Sequence, residues 1–247
     1  MPISRNVDGF SALPAGHPLA NVDIGNEFKW AKYFEDFTGY GLGQTTGDDH
    51  LLTATNCTET LVGPTGVYTM TLAGADNDLG QWKPTNAGAF QASSTKRTYF
   101  QARIKITVAT MAQTELFIGL ASAQTGTAFF AADGASLTMD DAIGFYQLDA
   151  GTTVGVTMRE NDVSSTDSIP AFTTAVWYTV GIFYDGLKAT FYVSPADGEA
   201  DGSDMAQVAQ LTATDTVSVV KPQLYIKAGD AEAKVLACDY IATYQER

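Results

Sequence analysis

The sequence predicts an all-β protein: a two-sheet antiparallel jelly-roll sandwich over residues 33–247, preceded by an extended N-terminal arm over residues 1–32. Three observations predict it. Short aromatic and β-branched runs recur along the chain, separated by Gly-, Asp- and Asn-rich turns. No long amphipathic helical period lies between them. The clearest run, Val176–Val193 (VWYTVGIFYDGLKATFYV), is a pair of strand texts flanking Asp185-Gly186, the dipeptide that supports a two-residue type I′ turn.

The elements follow in order. Residues 1–32 carry Pro2, Pro14 and Pro18 and no sustained period of 2 or 3.6, so they read as an arm. The domain opens near Tyr33-Phe34-Glu35-Asp36-Phe37. A glycine-punctuated loop leads to a strand at Leu51–Cys57, and GVYTMTL at 66–72 alternates as a second. Residues 73–92 are rich in Gly, Asp and Asn and read as a long connection. In TYFQARIKITV (98–108), Phe100, Ala102, Ile104, Ile106 and Val108 face one way and the polar set the other, a half-buried strand. ELFIGLA (115–121) is continuously apolar, as a strand covered on both faces would be. AIGFYQL (142–148) and TTVGVTM (152–158) flank Asp149-Ala150-Gly151 as a hairpin. Strands at 207–211, 223–228 and 234–245 complete the series, and the last should pair beside the strand at 33–38.

Charge limits the partners. Fourteen Lys+Arg against 28 Asp+Glu give a formal charge of −14, with no basic cluster. Such a surface repels phosphate backbones and anionic lipid, so neither nucleic acid nor membrane is an expected partner. No apolar stretch is long enough for a membrane helix, and the first twenty residues carry no apolar core of a signal peptide. The expected route is synthesis in a host cytoplasm, with any later location reached by another path. The two cysteines, Cys57 and Cys238, do not form a disulfide framework. Cys238 alternates with Leu236 and Tyr240 and reads as a small buried hydrophobe. Asn56-Cys57-Thr58 matches the glycosylation pattern, with nothing else to suggest a secretory context.

Three pieces carry a resemblance. FEDF (34–37), WYTVGIFYDGLKATFYV (177–193) and LACDYIATYQ (236–245), in that order, resemble the first strand, the central hairpin and the closing strand of concanavalin A-like, laminin-G-like jelly rolls. With TYFQARIKI and ELFIGLA the resemblance covers residues 33–247. The short arm, the single acidic domain and the Ala/Thr/Gly-rich strands are similar in style to structural proteins of tailed bacteriophages, some of which decorate or cement the capsid. That resemblance implies a virion structural protein on the outer capsid surface, with the major capsid protein and its own copies as partners, as a homotrimer. Under that reading Phe10, Leu13, Leu19, Phe28 and Trp30 of the arm are the capsid or subunit contacts. The alternative is a carbohydrate-binding module, or an adhesin of a phage tail or fibre.

No enzyme chemistry is expected, and no catalytic residue or cofactor is assigned. A glycosidase on this fold needs two carboxylates on one face of a cleft. Glu35-Asp36 and Asp140-Asp141 are adjacent and would point to opposite faces, while Glu115 and Glu160 have no carboxylate two residues away in the same strand. His17 and His50 lie in the arm and in a loop, outside any nucleophile context. Asp197, Glu199, Asp201 and Asp204 alternate as in the front of a calcium loop, but Val208 stands where the closing Glu would be, so they form only a weak Ca²⁺ candidate. Asp76-Asn77-Asp78 is a second. Sugar binding would need exposed aromatics beside polar groups, and Tyr146, Tyr178, Tyr184, Tyr192 and Tyr225 are the available rings.

Overall fold

The computed structural model describes residues 29–37, 50–62, 66–85, 89–93, 95–122, 129–131, 134, 136–213 and 219–247. Phe10, Leu13, Leu19 and Phe28 lie outside them. Among the described residues the strands are β1 (Trp30–Glu35), β2 (His50–Thr55), β3 (Cys57–Val62), β4 (Val67–Leu72), β5 (Leu79–Pro84), β6 (Phe90–Gln91), β7 (Thr98–Thr107) and β8 (Thr114–Ala121). The second half supplies β9 (Ala142–Gln147), β10 (Val154–Glu160), β11 (Val163–Ile169), β12 (Trp177–Tyr184), β13 (Lys188–Val193), β14 (Ala206–Thr212), β15 (Val219–Ala228) and β16 (Val235–Glu246). A 3-10 turn lies at Met111–Gln113.

Two eight-stranded antiparallel sheets stack as a jelly-roll sandwich. The first runs β14-β13-β12-β7-β16-β4-β3, and the second β11-β10-β9-β8-β15-β5-β2. The closing strand β16 is twelve residues long and serves two partners on one edge. β4 pairs with Val235–Cys238 and β1 with Ile241–Glu246, so the first and last strands lie side by side as the sequence predicts. The inner faces of β7, β8, β9, β10, β12, β13 and β16 meet in one core, which holds Phe100, Ile104, Ile118, Phe145, Phe191 and Ile241.

Four sequence expectations need correction. Trp30 belongs to β1 and not to an arm: it pairs with Glu246 and is buried against Tyr99 and Tyr244. β1 therefore begins at Trp30, and Trp30 is sheet packing. The stretch 73–92 contains β5, a strand paired on both sides by β2 and β15. Its polar Gln81 is fully buried because Gln81 Nε2 donates to Gln223 Oε1 at 2.7 Å, a cross-strand pair invisible to periodicity. β11 carries no period-2 signal because it is an edge strand, polar on both faces. The turn after β12 is centred on Gly186-Leu187, with Asp185 N donating to Lys188 O at 3.1 Å and a positive φ at Gly186 but not at Asp185. That is the type II′ pattern, one residue on from the expected type I′ turn.

A bulge in β16 changes which residues face the core. Its register against β7 shifts between Cys238 and Tyr240. Leu236 and Cys238 point into the core before the shift, and Ile241 does so after it, while Tyr240 turns outward. Cys238 is fully buried, as expected, but its alternation with Tyr240 is broken. Both thiols are free. Burial, with help from the Glu59 carboxylate, pushes Cys57 up to about 12, so it stays an unreactive thiol.

Candidate functional site

The acidic loop between β13 and β14 does not gather its carboxylates. Asp197 Oδ1 accepts the Trp177 amide at 3.1 Å, Asp201 Oδ1 the Ser203 amide at 2.8 Å, and Asp204 Oδ2 the Glu199 amide at 2.8 Å. These groups shape a strap that lies on the outer face of the first sheet. There Gln101 Nε2 donates to Asp201 O at 2.9 Å and the Tyr240 hydroxyl to Ala200 O at 2.7 Å. The outer face of β7, expected to be solvated, is therefore covered at Tyr99 and Gln101. Asp78 is likewise spent locally: it accepts the Ala75 amide at 2.7 Å and the Asn56 side-chain amide at 2.8 Å. The first of these bonds does most to hold its carboxyl below the usual range. Among the described residues no group of three or more His, Cys, Asp or Glu is placed to hold a metal.

Three of the carboxylates weighed for glycosidase chemistry, Glu35, Asp141 and Glu115, make local bonds. Glu35 Oε1 accepts the Phe37 amide at 2.8 Å, and Asp141 Oδ1 the Asn161 amide at 3.3 Å. Glu115 is buried on β8 and paired with Lys227 of β15 at 2.7 Å. Asp149 approaches it, but the backbone of Gly134 lies between: a Cβ there would be 2.8 Å from both the Glu115 carboxyl carbon and Asp149 Cβ.

The centre of the second sheet's outer face is filled as well. Phe129, Phe130, Leu137 and Met139 from the connection between β8 and β9 pack onto Phe117 and Tyr225. Ring centroids lie 5.3 Å apart for Phe117–Phe129 and 4.9 Å for Phe129–Tyr225. This second small core is why β8 reads as continuously apolar: both of its faces are covered.

Beyond this plug, toward the β11 edge, the same face opens into a groove of about 310 Å³. Tyr146 of β9 forms one wall. Gly155 of β10 stands opposite it in register, and a Cβ there would be 2.4 Å from the tyrosine Cε1 and Cζ. The missing side chain lets the ring lie across β10, its hydroxyl directed toward Thr166 of β11. Burial raises the phenol above its ordinary range, with the Thr166 bond opposing, so it remains a neutral hydrogen-bonding group. Leu148 and Gly151 close one end, where the β9–β10 turn is held by a bond from Gly151 N to Leu148 O at 3.0 Å. Thr153, Thr166, Asp167 and Ser168 form the rim, and all four are exposed. Asn161 and Asp162, both at positive φ, make the tight turn that brings β11 back beside β10.

The structure thus sorts the five rings. Tyr184 and Tyr225 are buried; burial and the nearby Glu160 and Asp185 carboxylates push Tyr184 up to about 12. Tyr178 packs on Phe172 at 4.9 Å and accepts the Thr173 amide. Tyr192 is half-buried on the first sheet. Trp177, a further candidate, has its ring taken by the Arg103 guanidinium at 4.9 Å and the Lys105 ammonium at 4.8 Å. Tyr146 lines a groove edged with hydroxyls. The sequence singled out Tyr146 but not Gly155, Thr166, Asp167 or Ser168, which join it through strand register.

No family profile and no curated protein sequence matches the chain. Solved structures do. Lectin II from Ulex europaeus superposes with a TM-score of 0.56 at 13% identity, covering 87% of this chain and 98% of that one. The CBM2 module of the evolved Dit of Lactobacillus casei BL23 phage J-1 gives 0.54 at 11%, covering 87% and 96%. An endo-1,3-β-glucanase from Streptomyces sioyaensis gives 0.51 at 11%, covering 88% and 96%. The fold is the concanavalin A-like, lectin-type jelly roll.

Proposed function

We propose that this protein is a carbohydrate-binding module that acts by recognition and not by turnover, and that its ligand lies in the groove along β9, β10 and β11. The observation that carries this is the tyrosine ring of Tyr146, pinned flat across Gly155 beside the hydroxyls of Thr166 and Ser168. A sugar has apolar C–H faces and a hydroxyl rim. A half-exposed aromatic face bordered by small polar groups meets both. The fold shared with a plant lectin and a phage carbohydrate-binding module supports the reading. So does the dispersal of carboxylates, which leaves no acid–base pair flanking the groove. The groove is at the small end of ligand sites and open along one side, so single-site affinity should be weak, about millimolar. Several copies acting together would raise it.

Titration of the protein with a panel of plant and bacterial cell-wall oligosaccharides, followed by NMR shift changes, tests this. At least one neutral oligosaccharide should perturb Thr166, Ser168 and the β9–β10 turn, and Tyr146→Ala should weaken it about tenfold, which is ~1.4 kcal/mol. Binding unaffected by that substitution would remove the groove from consideration.

The second reading concerns location. The acidic surface, the anchor residues Phe10, Leu13, Leu19 and Phe28 and the fold likeness to a phage module favour a virion protein, on the capsid surface as decoration or on the tail as an adhesin. Copy number in purified particles separates the two: hundreds for a capsid protein, few for a tail protein, and none if the chain is not a virion protein.

A further inference from the structure

We infer that the groove selects sugars that carry a methyl group, on an acetamido substituent or at a 6-deoxy position, over the same sugars with a hydroxyl or hydroxymethyl there. This rests on the reading that the groove binds sugar. The two sides of the groove differ in chemistry. Leu148 stands two residues on from Tyr146, and both pack against the small core of Phe117, Phe129 and Tyr225, so both side chains lie on the outer face of the sheet. Both are half-buried and both line the groove, so a leucine side chain extends the aromatic wall. The other side carries alcohols. Ser168 pairs with Gly155 and Thr166 with Thr157, which puts their hydroxyls on this face of β11, and Thr153 precedes Gly155 on the same face of β10. Asp167 pairs with Val156, a residue of the main core, so its carboxylate turns to the opposite face. The side chains on the groove's own face are thus uncharged. One pyranose C–H face is met by the Tyr146 ring alone. Leu148 beside it offers further apolar surface, where a sugar hydroxyl would lose water and gain no partner while a methyl loses nothing. Gly151 closes that end without a side chain. The hydroxyls of Thr166 and Ser168 remain for the sugar's own hydroxyls, or for the N–H and C=O of an acetamido group.

NMR titration of the intact chain with two matched pairs of probes tests the inference. Chitotetraose and cellotetraose differ in the acetamido group against the hydroxyl. Methyl α-L-fucoside and methyl α-L-galactoside differ in the methyl against the hydroxymethyl. In at least one pair the methyl-bearing member should bind about fourfold tighter, which is the ~0.8 kcal/mol of one buried methyl-sized group. The pair that responds identifies the source of the methyl, and its tighter member should shift the Leu148 methyl signals. Leu148→Ala should bring that ratio close to one. Leu148→Met, which keeps an apolar side chain of similar volume, should restore it. Hydroxyl-bearing members that bind as well or better in both pairs overturn the inference, and so does a methyl preference that survives Leu148→Ala. If Tyr146→Ala weakens every probe while the members of each pair bind alike, the sugar site stands and only the methyl selection fails. If no probe binds, or none depends on Tyr146, both fail.

Discussion

Lys227→Met should cost the fold about 3–5 kcal/mol, the usual penalty for stranding one member of a buried ion pair. Lys227 Nζ lies 2.7 Å from Glu115 Oε1, with side-chain exposures of 9% and 1%. Removing the ammonium leaves a carboxylate under the small core of Phe129 and Tyr225, with Asp149 nearby across Gly134. Methionine fills most of the volume, so the loss reports the uncompensated charge and not a cavity. For a chain of this size a fall in melting temperature of roughly 10 °C is expected. The Glu115→Gln, Lys227→Met double variant should recover much of it, because neither side then buries a lone charge. Chemical denaturation gives the comparison directly. A single-variant loss below about 1 kcal/mol would show that water reaches the pair.

Gly155→Val should abolish glycan binding with little change in fold. β10 is extended at this position and accepts a β-branched residue. The new Cβ would fall 2.4 Å from the Tyr146 ring, which must swing out because the backbone of a strand paired on both sides cannot move. The aromatic platform is then lost. Binding should drop more than tenfold, over ~1.4 kcal/mol, with the far-ultraviolet spectrum unchanged. The overpacking should cost stability less than the 1–3 kcal/mol typical of a closed core, since the displaced ring has solvent to enter. Retained affinity in a folded Gly155→Val variant would move the ligand elsewhere on the sheet.

Legibility in the sequence followed locality. The β12–β13 hairpin could be read because two aromatic strands and their turn are contiguous, although the turn itself slid by one residue to put glycine at the positive φ. β8 could be read because burial on both faces leaves a continuous apolar text. β5 could not, because Gln81 looks like a loop residue until Gln223, 142 positions away, satisfies it. Nor could β11, whose only apolar demand is at its end, Ile169. Trp30 reads as an arm residue by its neighbours in sequence and becomes sheet packing only when β16 returns beside it.

By itself, then, the sequence determined the all-β class, the two-sheet sandwich, the pairing of the last strand with the first, and a formal charge of −14. Period-2 burial and turn residues act over a few positions, and charge simply sums. The tertiary structure decided everything that depends on register between strands. The bulge at Cys238–Tyr240 changed which residues of β16 face the core. The connection after β8 filled the centre of the outer face. The pairing of Gly155 with both Tyr146 and Ser168 made a groove out of residues that have no relation along the chain. A one-residue slip in any of these pairings would send each side chain to the opposite face, which is why the candidate site exists only in the folded sheet.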